Sequence, residues 1–278
     1  MRTTSWRDLA PEALEAHLNP RAAVGNDRAE RYLQGFADRA DSTRHRLAGT
    51  FDVRYGTSPK STFDVFRPEG RGPFPAFVFV HGGYWRALDK REHAFVVEPA
   101  VARGFAGIVM NYDLCPEVTL DHIVEQTKTC IRFLAAERTA LGFTDDGLAM
   151  AGHSAGAHLI ALMLHHDWRT EGFADDPIRW AGLWSGIYEP EAVRHISVND
   201  DVRLVSDMAE RNDAMTRLPC AKPIVDVTVG ALEPTAWIDQ SQRYAAACRA
   251  AGLDATLTII DDADHFSLLE HPILPPSP

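Results

Sequence analysis

Apolar and polar positions fall into two textures along this chain. The first fifty residues are rich in charge and alanine, and residues 27–46 are expected to form a helix whose first turn Asn26 or Asp27 can cap. From residue 50 strands take over. Residues 51–55 alternate at period two, 56–60 read as a turn, and 61–66 alternate again, which predicts an antiparallel hairpin. Pro75 then introduces a continuous apolar run at 76–80, and similar runs follow at 106–110, 148–151, 180–184, 224–229 and 255–260. A run apolar on both faces suits a strand buried between two helical layers. Helical patterns separate most of them. Residues 120–138 place Ile123, Thr127, Cys130, Ile131 and Leu134 on one face, 155–165 are almost wholly apolar or small, and 237–251 close on Gly252. Strands alternating with helices imply βαβ units and an α/β fold: a mostly parallel central sheet with helices on both faces. Ligands of such sheets bind beyond the carboxyl ends of the strands.

Chemistry-bearing motifs sit at those ends. Gly152-His153-Ser154-Ala155-Gly156 follows one buried run and opens an apolar helix. A serine on so tight a turn needs glycines where a side chain would block close approach, and the helix N-terminus offers unpaired N–H groups to developing negative charge. His81-Gly82-Gly83-Tyr84-Trp85 follows the run at 76–80, where a loop facing the serine must lie. The expected oxyanion hole combines the Ala155 N–H with those of Gly82 and Gly83 or Tyr84. Tyr84 and Trp85 are expected to wall the substrate pocket, with His153 as a further substrate contact.

A serine nucleophile needs a base, and the base needs an orienting carboxylate, in the order serine, acid, histidine. His265 follows the last strand and is the expected base. His158, His165 and His166 fall on the helix after Ser154 and read as packing or surface residues, and His271 is the weaker competitor near the terminus. Glu233 follows the 224–229 strand and is the expected acid, whereas Asp226 lies within that strand and Asp239 on the next helix.

Length and charge narrow the partners. With 278 residues, 45% of them hydrophobic, residues 51–278 can bury one core, with 1–50 a helical segment contributing to a lid. Residues 188–213 are expected to be an inserted helical lid, with one helix starting at Pro190 and another over 198–211. A formal net charge of −11 disfavours nucleic acid and anionic membranes. No long uncharged apolar window and no export signal are present, so a cytoplasmic location is expected. Cys115, Cys130, Cys220 and Cys248 are scattered without metal-type spacing and read as reduced thiols. No cofactor motif or paired metal-type histidines occur. The partner is then a small molecule, with no metal or cofactor required; a homodimer is compatible with all of this.

Five segments in order resemble the kynurenine formamidase (arylformamidase) branch of the α/β-hydrolase superfamily, close to hormone-sensitive-lipase-like esterases. They are His-Gly-Gly-Tyr-Trp at 81–85, Asn-Tyr-Asp-Leu-Cys-Pro-Glu at 111–117, Gly-His-Ser-Ala-Gly at 152–156, Gly-Ala-Leu-Glu at 230–233 with Gln240-Ser241 after it, and Asp-His-Phe-Ser at 264–267. The resemblance implies hydrolysis of N-formyl-kynurenine or similar aryl formamides, and of activated aryl esters. It places the triad on Ser154, Glu233 and His265, and the oxyanion loop on Gly82, Gly83 and Ala155. Two departures stand out: Glu where the family usually has Asp, and Cys115 where lipase-like relatives favour Ala. The alternatives are a general short-chain carboxylesterase using the same residues and, more remotely, a hydrolase-fold binding protein without turnover.

Overall fold

Eight strands form one sheet in the computed structural model, which describes residues 4–216, 219–220, 222–272 and 274–277. They are β1 (Gly49–Arg54), β2 (Thr62–Phe66), β3 (Ala76–Val80), β4 (Ala106–Met110), β5 (Leu148–His153), β6 (Ile178–Trp184), β7 (Ile224–Gly230) and β8 (Ala255–Ile260). Their spatial order is β1-β2-β4-β3-β5-β6-β7-β8. The hairpin β1–β2 is antiparallel and so is β2 against β4, while every pairing from β4 to β8 is parallel. This is the α/β-hydrolase arrangement, and the apolar runs at 76–80, 106–110 and 255–260 coincide with β3, β4 and β8. Alternate residues of a strand face opposite sides. Accordingly Val78 and Val80 join the core on one face of the sheet, while Phe77 and Phe79 join that on the other.

The helices follow the pattern with shifted ends. The first long helix runs Asn26–Arg46, and Asn26 is its first residue rather than its cap; Gly25, at φ 85°, makes the entry turn. Two short helices, Pro11–Leu18 and Pro20–Val24, precede it, each with proline in its first turn, where the missing N–H costs nothing. Leu120–Ala136 is capped by Thr119, Ala155–Leu164 follows Ser154 directly, and Thr235–Ala250 runs up to a turn with Gly252 at φ 84°.

The segment 188–213 differs from expectation. Pro190–His195 is a 3-10 helix, and the single helix expected over 198–211 is two, Asn199–Val202 and Ser206–Arg211. Between them Arg203 takes φ 57°, and the Asn199 side chain accepts from Leu204 N at 2.7 Å, a local bond that competes with helix continuation. The helix Pro11–Leu18 and the residues just before it pack against this segment. Arg7 and Arg243 both pair with the buried Glu189, and Glu15 accepts from the backbone and hydroxyl of Ser197. Among the described residues, no helix is long and apolar enough to cross a membrane.

Candidate active site

Steric close approach explains the 152–156 motif. Ser154 sits between β5 and the helix Ala155–Leu164 at φ 56°, ψ −116°, a conformation held by its N–H on Trp184 O at 2.8 Å. A Cβ on Gly152 would lie 2.5 Å from the Gly156 carbonyl carbon, and one on Gly156 only 2.0 Å from Val80 O. Real Cβ contacts do not come so near, so only glycine lets helix, β5 and β3 meet here. Ser154 is thereby fixed at the carboxyl end of the sheet, as its motif requires.

The loop after β3 lies against the serine. A Cβ on Gly82 would come 3.1 Å from Ser154 Cβ, and Gly83, at φ 100°, would drive one into Ala87 O at 2.3 Å. Behind the loop His81 bonds Asn111 Oδ1 at 3.1 Å and stacks on Tyr112, whose hydroxyl donates to the carbonyls of His81 and Gly82. The Asn-Tyr pair at 111–112 is therefore the buttress of the glycine loop.

His265 and Glu233 meet as expected. Glu233 Oε2 lies 2.7 Å from His265 Nδ1, and its other oxygen accepts from Gly230 N at 2.9 Å. Both side chains are buried, and the Trp237 ring lies 4.5 Å from the imidazole. Asp226 is occupied elsewhere, by Trp180 Nε1 and Thr256, and Asp239 by Arg243. Asp264, although adjacent in sequence to His265, accepts from Phe266 N, Ser267 N and Arg28. His158 packs edge-on against Trp85 and bonds Asn212 O, and His271 faces Asp262.

Ser154, His265, His153, Gly83 and Tyr84 line one cavity of about 130 Å³. Burial and the neighbouring His265 hold His153 well below the usual histidine range, so it is neutral. Its Nε2 lies 2.8 Å from the His265 carbonyl oxygen, an acceptor, so that nitrogen carries the proton and Nδ1 is an acceptor. Trp85 is a correction: it is fully buried in the core and does not line the cavity. Residues 83–85 all take positive φ, and this turn carries the indole away from the cavity and beneath the serine's helix.

Several site residues escaped the sequence reading. Asn19, Pro20, Leu33 and Phe36 close the cavity from the N-terminal segment, and Val198 from 188–213. Their contribution depends on chain folding over the sheet edge, which no local pattern announces. Ser185, at the end of β6, also went unseen. Its hydroxyl donates to Glu233 Oε2 and stands 3.0 Å from His265 Nδ1.

Comparison with known proteins agrees with this architecture. Residues 63–176 match the family model described as BD-FAE. A kynurenine formamidase of Drosophila melanogaster is 33% identical over 78% of this chain and 75% of its own. That of Danio rerio is 27% identical over 96% and 93%. A crystal structure from Silicibacter sp. tm1040, provisionally described as a thioesterase, superposes with a TM-score of 0.79 at 29% identity, covering 92% of this chain and 93% of that one. The Pyrobaculum calidifontis hyperthermophilic esterase shares the fold with a TM-score of 0.71 at 18% identity, over 96% of this chain and 87% of that one.

Proposed function

The chain belongs to the kynurenine formamidase family, a hydrolase family of the amidase and esterase type, and from that premise we propose that it removes formyl and other short acyl groups from aryl amines through an acyl-serine intermediate on Ser154. The observation that carries the reading is the small cavity onto which Ser154 and His265 both open, with Glu233 behind the imidazole. An apolar cavity near 150 Å³ holds a benzene ring. At about 130 Å³ this one is on the scale of a single aryl ring, which favours a small aromatic substrate.

In the proposed reaction His265 takes the Ser154 proton as the hydroxyl attacks the formyl carbon, and Glu233 holds the imidazole tautomer and stabilises the imidazolium. Backbone N–H groups of Gly82, Gly83 and Ala155 receive the oxyanion, each such donor being worth ~3 kcal/mol in the transition state. His265 then protonates the departing aryl amine, and water repeats the cycle on the acyl-enzyme. Tyr84 walls the pocket. The acceptor Nδ1 of His153 suits the N–H of a formamide, which an ester lacks. The N-terminal segment and residues 188–213 together act as the lid.

A short-chain carboxylesterase would use the same residues, and the esterase neighbours favour it as the second reading. Turnover of an aryl formamide and of a matched aryl butyrate separates the two: we expect the formamide to be preferred, and a formamide rate at background removes the formamidase reading. An organophosphonate should label the wild-type chain stoichiometrically and leave Ser154→Ala untouched. Labelling that survives the substitution removes Ser154 as nucleophile.

A further inference from the structure

The triad assigned above leaves one buried polar group at its centre without a role. Ser185 follows the last residue of β6, fully buried, at φ 47°. Its N–H donates to Thr228 O of β7 at 2.7 Å, which seats it between the carboxyl ends of β6 and β7. Its hydroxyl donates to Glu233 Oε2, the same oxygen that faces His265 Nδ1, and Oγ itself stands 3.0 Å from Nδ1. With its one hydrogen committed to the carboxylate, the Ser185 oxygen presents lone pairs to the imidazole.

We propose that Ser185 is a positioning residue of the catalytic centre: it clamps the Glu233 carboxylate from the β6 side and, as a second acceptor facing Nδ1, enforces the imidazole tautomer that leaves Nε2 free to act as base. The physical need arises from the acid itself. A glutamate carries one more rotatable bond than an aspartate, so a carboxylate at position 233 requires two anchors to hold one orientation. Gly230 N holds Oε1 from β7, and Ser185 holds Oε2 from β6. The neutral Nε2–H tautomer, with a lone pair on Nδ1, would face a carboxylate and a hydroxyl lone pair at once. Imidazole is therefore restricted to the Nδ1–H form in both its neutral and charged states. Position 185 is consequently also a place from which a carboxylate could reach Nδ1 directly.

The inference rests on the triad reading, and its test can fail separately. Aryl acetate hydrolysis and the rate of phosphonate labelling are measured on Ser185→Ala and Ser185→Gly, the second of which also relieves the positive φ. Loss of one hydrogen bond to a charged group predicts a fall in kcat of about 10- to 100-fold in both variants with KM nearly unchanged. Glu233→Gln is then compared with Glu233→Gln/Ser185→Asp. The double variant is expected to recover at least about tenfold of the lost turnover, because aspartate tolerates left-handed backbone and places an acid beside Nδ1. A role confined to folding cannot give that recovery. Wild-type kcat in both Ser185 variants, or a double variant no faster than Glu233→Gln, overturns the proposal. If Glu233→Gln itself is fully active, the triad assignment falls instead.

Discussion

At Ser154 the backbone stands at φ 56°, ψ −116°, where a side chain is strained, and it stays there because helix, β5 and β3 leave it no other path. Ser154→Ala keeps the Cβ and the strain, whereas Ser154→Gly removes both. Relief of about 1 kcal/mol should make Ser154→Gly melt about 2–4 °C above Ser154→Ala, with both variants inactive. Differential scanning calorimetry decides it: equal melting temperatures would mean the turn stores no strain. At this scale the sequence was highly informative. The glycines at 152 and 156, the serine between them and the histidine and glutamate downstream each advertised themselves by type and place. Trp85 did not, because the direction of its side chain depends on three successive positive φ values, and residue type alone carries no such information.

The helix Asn26–Arg46 shows what a single element contributes to the cavity. Leu33 and Phe36, one turn apart on its inner face, line the cavity that Ser154 opens onto, and Phe36 also stacks on Phe95 at 5.2 Å between centroids. Leu33 is only partly buried, so its truncation widens the pocket at modest cost to stability. Leu33→Ala should raise kcat/KM for aryl butyrate relative to aryl acetate by about 10-fold, the worth of one or two accommodated methylenes. An unchanged acyl-chain profile would show that the acyl group sits elsewhere. The helix itself was legible from residues 27–46, and its inner face was not. The mixture of charges on its outer face is what a solvated surface needs, and nothing local marks which apolar residues meet substrate rather than core.

Across the whole molecule, stability is tied to histidines held neutral by burial. Burial pulls His93 down to about 3 and His158 to about 4, and lowers His81 and His153 from the ordinary 6.5 as well. Unfolding frees these rings to take up protons below pH 6.5, so in that range the unfolded chain binds more protons than the folded one and stability rises with pH. The contribution is complete above pH 6.5. It is lost as pH falls below 6.5, down to about 4 for His158 and about 3 for His93. Each histidine adds a slope of about 1.4 kcal/mol per pH unit within its window. Urea midpoints measured from pH 7.5 to 5 should therefore drop steeply below 6.5, and His158→Phe should flatten the curve. A midpoint independent of pH over that range would contradict the neutral buried rings.

The places of the central strands along the chain were decided by local pattern, because a strand covered on both faces is mostly apolar, and 76–80 and 106–110 are apolar throughout. The run at 255–260, by contrast, became a largely exposed edge strand. The residues proposed as nucleophile, base and acid could also be picked out, since strand ends in a parallel sheet gather at one edge whatever the loops do. What depended on tertiary structure was everything set by distance through space. Ser185 joins Glu233 and His265 because β6 and β7 are neighbours in the sheet, although 48 and 80 residues separate it from them in the chain. The N-terminal segment closes the cavity because Glu15 reaches Ser197 and Arg7 reaches Glu189, contacts that each span 182 residues. Sequence patterns report which face of an element is apolar, and only packing determines what that face meets.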